Sequence, residues 1–243
     1  MSATTESATA GYTVVPMDRL RRVTAKRMRA SVEEKPHVTL HRYARVDALI
    51  ARRVRERAAV DQEAGVATSL TAMLIAVVAR ATARNGRLNG RVEEGEIRLY
   101  EAVNIGVAVE VPGGLTVPVI KAADMLSVAE VGLELRRLAE AGRAGQLRPE
   151  DMSDATFTVS NLGSYGVELF TPIISPPQLA ILGVGSSTYG VDVLDGAVMP
   201  FQRIGLSLSF DHAASDGSDA AKVLGDLVDA IERPESVLDV GAA

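Results

Sequence analysis

Ile204-Gly-Leu-Ser-Leu-Ser-Phe210, followed at once by Asp211-His-Ala-Ala-Ser-Asp-Gly217, is the stretch on which the reading of this chain turns. Large apolar side chains alternate with small ones over the first seven positions, the period of two that a strand imposes. From Gly217 to about Glu232 the apolar positions recur at helical spacing. His212 therefore sits on a strand-to-helix connection, where an imidazole can point into a site instead of packing. Asp216 lies four residues on and is placed to cap the helix, and Gly217 is read as allowing a tight bend at its start. A histidine with a nearby carboxylate suits general-base chemistry, because imidazole titrates near neutral pH. A single histidine is also commonly a packed structural residue, and at this point both readings stand.

Outward from that stretch, composition sets the bounds. The chain has 243 residues, three histidines (His37, His41 and His212) and no cysteine, which removes thiol nucleophiles, thiolate metal sites and disulfides. No metal is expected. Hydrophobic residues make up 47% but aromatics only 4%. Aliphatic side chains must then fill the core, which favours a layered α/β packing. The net charge of −5 argues against nucleic acid as a partner. No apolar run is long enough to cross a membrane. Met1 to Ala10 are small and polar with no apolar signal segment, so residues 1–13 read as a disordered tail, residues 14–243 as one domain, and the cytoplasm as the default location.

Along the chain the elements alternate without a Pro/Ser-rich spacer. Pro16 to Glu34 has helical spacing, Pro36 stops it, and His37 to Val46 reads as a strand. Asp47 is placed to cap a helix reaching about Gln62. Thr68 opens a very apolar helix, Ser69 to Ala83. Val103 to Val111 and Leu115 to Ile120 read as two strands joined by the turn signal Pro112-Gly-Gly114. Ser127 caps an amphipathic helix to about Ala144, with Val128, Val131, Leu133 and Leu138 on its apolar side. Thr156 to Ser160 and Ala180 to Gly185 are further strands.

The second chemical signal is Thr156-Phe-Thr-Val-Ser-Asn-Leu-Gly163. Ser160 ends a short strand before a Gly-containing loop. It is either a turn serine bonding its own backbone or a hydroxyl aimed at the oxyanion of an acyl-transfer intermediate, a donor typically worth ~2.7–4 kcal/mol.

His-Ala-x-x-Asp-Gly in 212–217 resembles the motif of chloramphenicol acetyltransferase, and Ser-Phe-Asp-His in 209–212 resembles still more the acyltransferase core of the 2-oxoacid dehydrogenase complexes. Phe157-Thr-Val-Ser-Asn-Leu-Gly163, Phe170-Thr-Pro-Ile-Ile-Ser-Pro-Pro-Gln178, Ala180-Ile-Leu-Gly-Val-Gly185, Val23-Thr-Ala-Lys-Arg-Met28, Pro36-His-Val-Thr39, Asn104-Ile-Gly-Val-Ala108 and Gly114-Leu-Thr-Val-Pro-Val-Ile120 resemble blocks of that core in the same order. The resemblance covers roughly residues 14 to 240. It implies a two-layer α/β subunit of the chloramphenicol acetyltransferase type with a mixed sheet, in a homotrimer or a 24-subunit cage whose active sites lie between subunits. It also implies roles: His212 as general base, Ser160 of a neighbouring subunit as oxyanion donor, Asp216 and Asp211 as orienting or structural residues, and Arg27 as a partner for Asp216. Acetyl-CoA or another acyl-CoA would be the co-substrate, transferring its acyl group directly. No residues binding CoA can be assigned.

Two departures bear on the acceptor. Enzymes of the complexes usually carry Arg directly after the histidine, where this chain has Ala213. The chain also has no lipoylation site, so no lipoyl group is expected on it. The reading adopted is a stand-alone acyltransferase that moves an acetyl or short acyl group from acyl-CoA to a hydroxyl of a small molecule, resembling the tetronate-pathway acetyltransferases of antibiotic biosynthesis. The alternatives are a dehydrogenase-complex core that takes a lipoyl domain in trans, and an inactive cage-forming scaffold.

Overall fold

The computed structural model describes residues 11–58 and 68–239. Most of the expected tail, and the expected helix end near Gln62, lie outside them. The 204–210 alternation is the inner half of a long strand, β10 (Ala197–Asp211), which pairs antiparallel on one side with β1 (His37–Arg45) and on the other with β9 (Ala180–Leu194). β9 runs parallel to β8 (Phe157–Asn161), β8 parallel to β4 (Ile105–Val107), and β4 antiparallel to β7 (Val119–Ile120). The order β1-β10-β9-β8-β4-β7 makes one mixed six-stranded sheet, as expected for a two-layer α/β subunit.

Period-two patterning splits this sheet into two unlike faces. Phe157, Leu182, Leu206, Leu208 and Phe210 are buried on one face, beneath the helices. α3 (Leu70–Arg84) is the most enclosed, buried at ten positions and capped by Ser69, whose Oγ accepts from Ala72 N at 3.1 Å. α4 (Val128–Arg143) starts at the expected Ser127 cap, which the structure shows as a capping box: Ser127 Oγ accepts from Glu130 N, and the Glu130 carboxylate accepts from Ser127 N. Val128, Val131 and Leu138 are buried as predicted, but Leu133 is exposed. α5 (Gly217–Glu232) buries Ala220, Val223, Leu224, Leu227, Val228 and Ile231 along one stripe. α1 (Arg19–Glu34) buries only Ser31. α2 (Asp47–Ala58) starts at Asp47, but the Asp47 carboxylate accepts from Gln202 N instead of capping the helix. No helix among the described residues is long and apolar enough to cross a membrane.

The opposite face is polar, with Thr39 bonded to Ser209 at 2.7 Å and Thr158 to Gln178 at 2.7 Å. The irregular segment 162–178 lies across it. Glycines make the seat: a Cβ on Gly185 would stand 1.9 Å from the Glu168 carbonyl oxygen, and one on Gly183 would stand 2.7 Å from the Phe170 ring.

Two expected strands are broken. The run 103–111 divides into β4 and β5 (Val109–Val111), and 115–120 into β6 (Gly114–Thr116) and β7. Pro118 has no N–H to donate, and Ala108 N donates to Val159 O on β8 at 3.0 Å, so the β5–β6 hairpin leaves the main sheet. Two hairpins had no counterpart in the sequence reading. β2 (Gly90–Glu93) and β3 (Glu96–Leu99) turn at Glu94-Gly95, and β9 and β10 extend past the sheet to turn at Asp195-Gly196.

Candidate active site

The sequence places His212 one residue past the end of β10, and the backbone there is held from both sides. His212 N donates to Pro36 O at 2.9 Å. Asp211 is buried, and its Oδ2 accepts from Lys35 Nζ at 2.8 Å while its Oδ1 accepts from Ala213 N at 3.0 Å. Ala214 N and Ser215 N both donate to Asp211 O. The imidazole is exposed, with its ring centroid 5.4 Å from that of Phe210, and makes no hydrogen bond among the described residues. It is therefore aimed outward on a rigid turn, which the packed-core reading of this histidine does not fit.

Three expectations about its surroundings are corrected. Asp216 occupies the N-cap position of α5, but its side chain makes no capping bond, because the N–H of Asp219 is taken by the Asp216 carbonyl. Gly217 is not in the left-handed region, and a Cβ there would meet nothing within 4 Å, so the bend does not require glycine. Arg27 donates to Pro176 O at 3.2 Å and does not pair with Asp216.

Ser160 lies on β8, paired with Gly183. Its neighbour Asn161 makes the local turn bond, accepting from Gly163 N at 2.8 Å, so Ser160 is not the turn serine. Its hydroxyl is bonded to nothing among the described residues and lines an open cavity of about 1510 Å³, larger than the usual ~300–1,000 Å³ of a small-ligand pocket. The cavity runs between the β5–β6 hairpin, the start of α3, the end of α4 and the 161–165 turn, with Arg21 and Arg143 as its lining cations. At one wall the Tyr165 hydroxyl donates to Glu110 on β5, and this bond pushes the phenol pKa up, with the charge of Glu110 adding to it. Arg21, Glu110, Arg143 and Tyr165 were not singled out by motif, and the roof comes from a hairpin visible in sequence only as the turn signal Pro112-Gly-Gly114.

Ser160 and His212 do not meet within one chain. Ser160 stands level with Gly183, and Gly183 with Ser207 on β10. His212 is thus two strands away, about 10 Å, and five residues further along, roughly 16 Å. His212 does not line the Ser160 cavity.

Comparison with known proteins gives a consistent set. The model of the 2-oxoacid dehydrogenases acyltransferase (catalytic domain) family matches residues 9–238. The dihydrolipoyllysine-residue acetyltransferase component of the pyruvate dehydrogenase complex of Mycoplasma capricolum is 34% identical over 232 residues, covering 94% of this chain and 52% of that protein. The chain spans between 36% and 55% of the length of the first curated relatives it matches. A crystal structure of Azotobacter vinelandii dihydrolipoamide acetyltransferase superposes with a TM-score of 0.88 at 34% identity, covering 98% of this chain and 100% of that one. The structure of a cubic core of a pyruvate dehydrogenase complex superposes with a TM-score of 0.88 at 33% identity and the same coverage.

Proposed function

The chain belongs to the family of 2-oxoacid dehydrogenase acyltransferase catalytic domains, and from that membership we propose that it transfers acyl groups between CoA and a dihydrolipoamide thiol supplied by another domain or chain. One observation carries the residue assignment. In the Azotobacter enzyme a serine, a histidine and an asparagine were investigated for their role in the catalytic mechanism. Ser160 precedes His212 by the same interval that separates that serine from that histidine, and Asp216 follows His212 at the interval of the asparagine. The relatives act on dihydrolipoyl groups, which favours the complex-type reaction over the hydroxyl acceptor taken first from sequence.

In this reading the imidazole of His212 removes the proton of the acceptor thiol as its sulfur attacks the thioester carbonyl carbon of acyl-CoA. The negative charge that develops on the carbonyl oxygen accepts a hydrogen bond from Ser160 of a second copy. The carbon–sulfur bond to CoA then breaks, and the leaving thiolate recovers the proton from the imidazolium. No acyl-enzyme forms. The exposed imidazole on its fixed turn and the unbonded Ser160 hydroxyl on a cavity wall suit these parts. The large cavity gives the acyl-CoA arm a route to Ser160, with Arg21 and Arg143 as the cations for its phosphates.

Ala213 favours a second reading. Without the arginine that usually follows the histidine in the complexes, the acceptor side of the site is less charged, and a small hydroxyl substrate is the rival. An alcohol is a far weaker acid than a thiol, with its unperturbed pKa near ~8.5, so that reaction would depend still more on the base. CoA release from acetyl-CoA, measured with dihydrolipoamide and with a hydroxymethyl tetronate, separates the two. Turnover with dihydrolipoamide that disappears in His212→Ala supports the proposal. Turnover with the hydroxyl acceptor alone overturns it in favour of the second reading.

A further inference from the structure

His212 makes no side-chain hydrogen bond among the described residues, so beyond its ring contact with Phe210 its placement follows the backbone that carries it. That backbone is tied to residues 35–37 more tightly than a turn requires. Pro36 O accepts from His212 N, and the side chain of the preceding residue, Lys35, reaches Asp211. Both partners of this pair are buried, with side chains 6% and 5% exposed. Lys35 is in turn fixed from two directions: its N donates to Ser31 O at 3.0 Å, and His37 Nδ1 donates to its carbonyl at 2.8 Å. The other ring nitrogen of His37 accepts from Ile174 N at 3.1 Å, which ties the same clip to the 162–178 segment.

A buried ion pair is a poor device for stability, because desolvating two charges offsets most of their attraction and apolar replacements often do as well. Its value lies in geometry. Asp211 uses one carboxylate oxygen for Lys35 and the other for the N–H of Ala213, so the ammonium fixes the peptide immediately after His212 as Pro36 fixes the one before. We propose that Lys35 is a positioning residue for His212, acting through Asp211. The proposal rests on His212 being the base. Other charged groups near this turn are Asp216, and Asp219 with its partners Arg87 at 3.1 Å and Lys222 at 3.5 Å. None of them bonds to Asp211 or Lys35.

The test compares the full chain with Lys35→Arg, Asp211→Asn, the neutral pair Lys35→Met/Asp211→Asn, and His212→Ala. Removing Lys35 alone would strand a buried carboxylate and could prevent folding, so the neutral pair carries the kinetic test. Its kcat is expected to fall on the order of 10-fold, the scale of a small misplacement of a reacting group, with KM for acyl-CoA unchanged and with Lys35→Arg keeping most of the parent rate. With only three histidines, the His212 imidazole can be followed by NMR, its signal identified by its loss in His212→Ala. In the neutral pair its ring signals should move from their parental positions, since the turn that carries the ring is no longer held through Asp211. A neutral pair with parental kcat, or with parental His212 ring signals, overturns the proposal. Parental turnover in His212→Ala would instead overturn the base assignment on which it rests.

Discussion

His212 and Ser160 were legible in the sequence because each sits at the end of a strand, where the chain must leave the sheet and a side chain can face a site. Their roles separate kinetically. His212→Ala should lower turnover by about 10²–10⁴-fold, the usual worth of a positioned base. Ser160→Ala should lower kcat by about 10²–10³-fold with a smaller change in KM for acyl-CoA; a rise in KM alone would mean that Ser160 only helps binding. The positions around His212 were read less well. Whether Asp216 caps α5 depends on what else takes the N–H of Asp219, and whether Gly217 is needed depends on a φ value, neither of which a motif encodes. The structure leaves Gly217 in an ordinary conformation with open space around it. Gly217→Ala should therefore stabilise the protein by about 0.4–1 kcal/mol, by restricting the unfolded chain. Thermal denaturation checks this, and a lower Tm would mean that the bend does need glycine.

Elements were read correctly where a period and a cap agreed, as in α3 and α4, and missed where the information lay in turn chemistry or in tertiary bonding. The outer arms of β9 and β10 leave Tyr189, Val191, Val193 and Val198 exposed, so their apolar positions do not advertise a buried strand. Their turn was nonetheless visible: Asp195 and Gly196 both have positive φ, 51° and 80°, the signature of a type I′ hairpin that Asp-Gly favours. The splitting of 103–111 was not visible, because it arises when Ala108 N finds Val159 O on another strand. Beyond α4, the connection to β8 turns on Asp151, whose buried carboxylate accepts from Arg148 and Arg137 and from the N–H of Arg148. Those bonds hold its pKa far below the usual carboxylate range, Arg148 first and Arg137 next. A depressed folded-state pKa contributes stability that is present above the unfolded value, near ~3.9, and is lost as pH falls toward the folded one. Asp151→Asn should thus lower Tm at pH 7 and flatten its fall between about pH 4 and pH 2. An unchanged acid slope would show that the two arginines are solvent-screened and hold little.

At the scale of the molecule, the sheet holds the two candidate residues apart within one chain. Its helix-covered face is sealed by aliphatic side chains and two phenylalanines, Phe157 and Phe210, as the low aromatic content required. Its chemistry-bearing residues lie at separated points: Ser160 on the cavity wall, and His212 five residues beyond the same level of the sheet and two strands away. If both act on one acyl group, they must come from different copies. Sequence could only borrow this from resemblance, since motif order carries no distance. The consequence is a complementation test. The Ser160→Ala chain keeps His212, and the His212→Ala chain keeps Ser160, so each alone should keep about 1% of the parent turnover or less. When the two are unfolded together and reassembled in equal amounts, a site shared between neighbouring copies receives both intact residues in about a quarter of cases for a closed ring of identical interfaces. Mixed assemblies should therefore recover about a quarter of the parent turnover, while each variant reassembled alone stays at its own low rate. A site built within one chain cannot be rescued, because every chain in the mixture lacks one of the two groups. Absence of recovery in a mixture shown to have co-assembled would place Ser160 and His212 in separate functions, and the cavity would then need another base.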